Sequence, residues 1–122
     1  MIKLFLMTGS IFCMLSVILG AFAAHGLKSR LSEYSLGVFK TAAEYQMAHG
    51  LALIAVAILI KWGINLSWAG GFFIMGTLLF SGSLYLLALT GMKWLGPITP
   101  LGGLCFIIGW IVILVQVARF KF

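Results

Sequence analysis

Acidic residues are almost missing from this chain: Glu33 and Glu44 are its only two, against eight Lys and Arg. Charge of either sign makes up 8% of the 122 residues, where a soluble domain carries about a quarter. With 63% hydrophobic residues and a mean hydropathy of +1.20, the chain has too little polar surface to cover a core in water. It needs lipid as its solvent. The basic excess, +6 overall, forms no Lys/Arg stripe, so nucleic-acid binding is excluded. Single basic residues and pairs flank hydrophobic runs instead, where they anchor helix ends against head groups. The two cysteines, Cys13 and Cys105, sit deep in apolar runs with no CxxC and no ligand set, and read as small packing residues. No nucleophile–base–acid set and no metal motif occurs. The expectation is a protein that is not an enzyme and carries no metal or cofactor.

What the chain does have is long uncharged runs. They count 24 residues between Lys3 and Lys28, 16 between Glu44 and Lys61, 31 between Lys61 and Lys93, and 25 between Lys93 and Arg119. A helix needs about 20 apolar residues to cross about 30 Å of hydrocarbon. The first run ends in Ala21-Phe22-Ala23, which resembles a signal-peptidase site. Its 24 residues exceed a signal core of about 7–15, so it reads as a retained span. The fold class expected is an all-α membrane protein, one domain over residues 1–122, with four transmembrane helices in a compact bundle. The spans fall near 4–24, 41–60, 66–90 and 95–118. The second requires Glu44 in its first turn, near the interface. Between spans 1 and 2, Leu27, Leu31, Tyr34 and Val38 recur at helical spacing, which suits either a short amphipathic interfacial helix or a plain linker. Pro97 and Pro100 fall in the first turns of span 4, where proline is tolerated.

Four spans put both termini on one side. Lys3, Lys61, Arg119 and Lys121 belong to that side, and Lys28, Arg30, Lys40 and Lys93 to the other, so the positive-inside count ties. The C-terminal pair and the flank of span 1 tilt the termini toward the cytoplasm of a bacterial plasma membrane.

Polar residues and glycines gather in the half away from the termini. At about 1.5 Å per residue from that end, Gly20, Tyr45, Tyr85 and Thr99 lie about 6 Å deep, and Ser16, His49, Gly102 and Gly103 about 12 Å, with Ser81 slightly deeper. An intramembrane ionisable group is a functional candidate because burying its charge is expensive. His49, with Tyr45 and Gln46 on the same helix face and Ser81, Tyr85 and Thr99 at neighbouring levels, makes a candidate polar pocket. The bland alternative carries more weight: a neutral histidine bonding Tyr45, Ser81 or a backbone carbonyl as structural glue. Lys40 and Glu44, four residues apart, read as an interfacial ion pair, and His25 as a polar end to span 1. Gly9, Cys13, Ser16, Gly20 and Ala24 share a face of span 1. Gly9, Gly20, Gly82, Gly102, Gly103 and Gly109 are candidate helix-packing positions, within the bundle or between copies.

Four segments in order, GAFAAHGL (20–27), TAAEYQMAHGLAL (41–53), LFSGSLYLLALTG (79–91) and LGPITPLGGLCFIIGW (95–110), resemble the small inner-membrane proteins of the YgdD/YwdK type. Ala23 and Gly50 stand where that family is expected to have glycine and alanine, both small-for-small changes. The resemblance implies a four-helix membrane protein and supplies no activity, substrate or catalytic residue.

Three function classes follow. The first is a structural or accessory membrane protein, acting as a homo-oligomer or in a larger complex. The second is a minimal small-molecule or proton-coupled transporter with a polar pocket around His49. The third, a haem protein using His25 and His49, fails because the two histidines sit at different depths. The first is the reading adopted, with the lipid bilayer and further copies as its partners.

Overall fold

The computed structural model describes residues 1–122 and contains α1 (Ile2–Ala24), α2 (Glu33–Lys61), α3 (Ser67–Gly76), α4 (Gly82–Thr90) and α5 (Ile98–Arg119). A five-residue π-helical segment, Thr77–Ser81, joins α3 to α4 so that Ser67–Thr90 forms one continuous third span. A short 3₁₀ turn, Lys93–Leu95, leads into α5. Four helices of 23, 29, 24 and 27 residues are long and apolar enough to cross a membrane.

Span 2 begins earlier than its hydropathy suggests. Ser32 caps α2, its hydroxyl accepting from Ser35 N at 3.1 Å, and Glu33 follows in the first turn, where the helix dipole favours a carboxylate. The helical pattern over 27–38 is therefore divided. Residues 25–32 are turns, and from Glu33 the chain is continuous with span 2 rather than a separate interfacial helix. The exit from α2 is equally local. Gly63, at φ +97°, lets Ile64 N reach Leu59 O (3.1 Å) and Gly63 N reach Ile60 O (2.9 Å), the paired bonds of a Schellman stop. Gly91, at φ +70°, ends α4 with a single bond to Leu87 O (2.8 Å).

Helix α2 is the centre of the bundle. α1 packs along one side of it, span 3 along another, and α5 against span 3. The packing is made by glycines receiving backbone or aromatic rings. Gly9 of α1 and Gly50 of α2 face each other so closely that a Cβ at Gly9 would lie 2.7 Å from Gly50 O. Gly70 receives the Phe5 ring, Gly76 the Phe106 ring, Gly109 the Phe73 ring, and Gly102 the backbone of Phe80. Membrane helices gain little from expelling water against one another, so such close contact supplies much of their cohesion. Phe5, Leu53, Val56, Ile64, Leu66 and Phe73 form the main core near the terminal side, and Ala23, Leu27, Phe39 and Ala88 a smaller one at the opposite end. Trp62 and Trp68 are exposed at the terminal side and Trp94 at the other, as the aromatic belts of a bilayer require.

Candidate functional site

Polar bonds made to the backbone and side chains of α2 hold the bundle together level by level. Ser81 donates to Ala42 O at 2.7 Å, and Ser16 donates to Ala43 O. Gln46 donates through Nε2 to Phe12 O (2.9 Å) and accepts at Oε1 from the Tyr85 hydroxyl (2.7 Å), tying α1, α2 and α4 through one side chain. The π segment positions part of this, because an added residue per turn re-aims the side chains that follow it. Ser81 closes that segment, and Phe80 within it meets the Tyr45 ring at 4.7 Å between centroids.

His49 is buried, with both ring nitrogens occupied. Nδ1 lies 2.8 Å from Tyr45 O, a carbonyl that can only accept, and Nε2 lies 3.1 Å from Trp110 Nε1, an indole N–H that can only donate. Those two partners fix the neutral tautomer with its proton on Nδ1. The ring also stacks on Phe106, centroids 3.5 Å apart and planes 9° from parallel. His49 thus joins α2 to α5 as a saturated bridge. Trp110, 61 residues away in sequence, is its missed partner. The Tyr45 contact is the backbone carbonyl, and Ser81 bonds elsewhere.

Of the six residues grouped as one pocket, the Tyr45 and His49 rings stack 6.2 Å apart and Gln46 bonds Tyr85, while Ser81 and Thr99 bond outside the group. Ser83 and Thr99 pair at 2.6 Å between α4 and α5, Gln46 pairs with Tyr85, and His49 with Trp110, each link separate from the next. No buried side-chain nitrogen or oxygen lacks a partner. The packing glycines divide as well. Gly9, Gly102 and Gly109 are filled by neighbours and Gly103 makes ordinary contact at 3.8 Å, whereas Gly20 and Gly82 have no neighbouring atom within 4 Å. Gly50, Gly70 and Gly76 are close-approach positions that the stripes did not single out.

The early start of α2 also moves its polar residues deeper, by eight residues or about 12 Å relative to a helix begun at Thr41. His25 is exposed at the end of α1. His49 lies about level with Gly9 and Ser10, some fifteen residues or about 22 Å from His25 along α1, so the two cannot share one iron within a protomer. Glu44 is not in the first turn but eleven residues beyond Glu33. It lines, with Lys40, Ser16, Gly20, Ala43 and Ala48, an open groove of about 490 Å³ between the outer faces of α1 and α2. Lys40 and Glu44 share that groove without closing the expected ion pair.

Residues 19–103 match the family model described as a protein of unknown function, DUF423. The chain is 48% identical over 121 residues to a UPF0382 membrane protein of Staphylococcus aureus, covering 98% of both chains. It is 46% identical over 119 residues to one of Staphylococcus haemolyticus, covering 97% of this chain and 98% of the relative. A third, from Staphylococcus saprophyticus, is 45% identical over 114 residues, covering 93% and 95%. No solved structure matches. A family match over most of the chain, near-complete coverage of these relatives and four membrane-length helices agree: the chain belongs to the DUF423 family and is a membrane protein.

Proposed function

We propose that the protein is a non-enzymatic accessory component of the bacterial plasma membrane, its termini cytoplasmic, that works as a homo-oligomer or within a larger membrane complex. The observation that carries this reading is the contrast between a closed interior and an open flank. Every buried polar side chain is consumed by bonds between or within helices, and none is left to meet a solute inside the bundle. A groove that holds the charged Lys40 and Glu44 side chains lies on the outside, between α1 and α2. A surface of that kind serves assembly in the plane of the membrane.

The competing reading is a small-molecule or proton-coupled carrier built on His49. It asks for an accessible imidazole, and the Tyr45 carbonyl and Trp110 indole already occupy both nitrogens. Affinity purification of the full chain in mild detergent, followed by mass spectrometry, separates the two. Stoichiometric copies or membrane-protein partners are expected. A lone monomer carrying a small molecule that His49→Leu abolishes would replace assembly with binding or transport.

A further inference from the structure

One carboxylate stands at mid-depth on the outside of the bundle. Ser16 bonds the Ala43 carbonyl, and Cys13 Sγ lies 3.9 Å from Met47 O, so Glu44 is level with about Leu15 of α1. Leu15 stands ten residues from His25 and twelve from Lys3, about 15 and about 18 Å at ~1.5 Å per residue. The third span agrees. Ser81 bonds Ala42 O, which sets Glu44 level with about Leu79, the middle of Ser67–Thr90. Yet Glu44 is exposed, facing the side that lipid tails would occupy. A carboxylate bare to hydrocarbon is expensive, so such a residue is covered or paired in the assembled protein.

Three sources of positive charge can be compared. Lipid head groups lie about 15 Å away along the helix axis and stay at the interface. The chain's own Lys40 sits one turn toward that interface and lines the same groove, yet it forms no ion pair with Glu44. A second copy brings another Lys40 into the membrane at the same level, with small residues around it that permit close approach. Gly20 belongs to that set, and no atom of its own chain lies within 4 Å of where its Cβ would be. Its lack of a side chain is therefore not needed by the packing of the monomer.

We infer that the α1–α2 groove is the seat of a second copy, related by a two-fold axis along the membrane normal, with Glu44 paired to the partner's Lys40 and Lys40 to the partner's Glu44. The inference rests on the assembly reading and specifies its surface. A patch bearing one cation and one anion is self-complementary under a two-fold operation, which makes the same pair twice. Both copies keep the same orientation in the membrane, so the lysine reaches about one helical turn, about 5.4 Å, down to the opposing carboxylate. Gly20 and Ala48, the small residues on the accessible surface of the groove, let the backbones come close enough for that reach.

Charge reversal tests it in the full chain reconstituted in lipid vesicles, with dimerisation read by energy transfer between two labelled pools. Lys40→Glu and Glu44→Lys each set like charges across the two-fold axis, and each is expected to weaken its own homodimer about tenfold or more. Mixing the two variants is expected to recover heterodimers close to wild-type strength, because both opposed pairs are again of opposite sign. The i, i+4 repulsion inside each chain is unchanged by mixing, so recovery reports contact between chains. Should either variant fold poorly, Gly20→Leu, placed in open space, is expected to keep the monomer's thermal stability while weakening the dimer. A mixture no tighter than the separate variants, or homodimers untouched by both reversals and by Gly20→Leu, overturns the inference. A wild-type oligomer surviving in the latter case leaves the assembly reading intact on another surface. A wild-type monomer without partners removes both.

Discussion

Replacing His49 with Leu should destabilise the bundle without touching any site of activity, and the size of the effect follows from its partners. The substitution removes the bond from Trp110 Nε1 at 3.1 Å and the stack on Phe106 at 3.5 Å between centroids. Side-chain bonds between membrane helices contribute about 0.6 kcal/mol on average and up to about 1.7. An aromatic pair adds about 0.5–1.5 kcal/mol beyond its buried area. Leu restores apolar contact, so the net loss should be about 1–2 kcal/mol. Trp110→Phe keeps a ring and removes only the N–H, and should lose about 0.6 kcal/mol. The decisive quantity is the coupling in the double variant, measured by reversible unfolding in mixed micelles. If the bond is what joins α2 to α5, the double variant should recover about 0.6 kcal/mol relative to the sum of the singles. Strict additivity would refute the bridge. A His49→Leu protein as stable as wild type or more so, but failing to rescue a deletion strain, would instead make His49 a working residue. Ile58→Leu, on the exposed side of α2, should be silent in both assays.

Gly102→Ala drives a Cβ into the backbone of Phe80, which cannot rotate away, and should cost about 1–3 kcal/mol by thermal unfolding. Gly103→Ala, whose nearest neighbour is 3.8 Å away, should be nearly neutral and serves as its matched control. Tyr85→Phe leaves Gln46 Oε1 without its donor and should lower stability by about 1–3 kcal/mol, a loss that Gln46→Leu in the same chain partly relieves. Reporter fusions at Met1 and Phe122 should give the same sidedness, and opposite sidedness would mean an odd number of spans.

The spans were legible because charges punctuate the apolar runs, and Lys61 and Arg119 do stand in the last turns of α2 and α5. The start of α2 was not, because Lys40 and Glu44 look like boundary markers to hydropathy. A charged side chain on an outer groove leaves the helix uninterrupted, which composition alone does not reveal. Ser32 followed by Glu33 carried the signal that could have placed the start, through its cap and its dipole partner. Of the site, His49 as glue and its carbonyl partner were foreseeable, since a buried imidazole must satisfy two nitrogens. Trp110 was not, because nothing local links positions 61 residues apart. The glycine stripes announced close packing but not its partners. That Gly102 and Gly109 receive Phe80 and Phe73 depends on the register of α5 against span 3, and the π segment shifts that register without a sequence mark.

Counting chains per particle tests the assembly reading most directly. With one fluorophore on each chain, diluted into lipid vesicles or captured in native-membrane particles, stepwise photobleaching reports copy number without detergent. Two steps should dominate for the wild-type chain and one step for the Gly20→Leu chain, with both proteins equally stable. Single-step bleaching of the wild type at every protein-to-lipid ratio, with no other membrane protein in the particle, would contradict it.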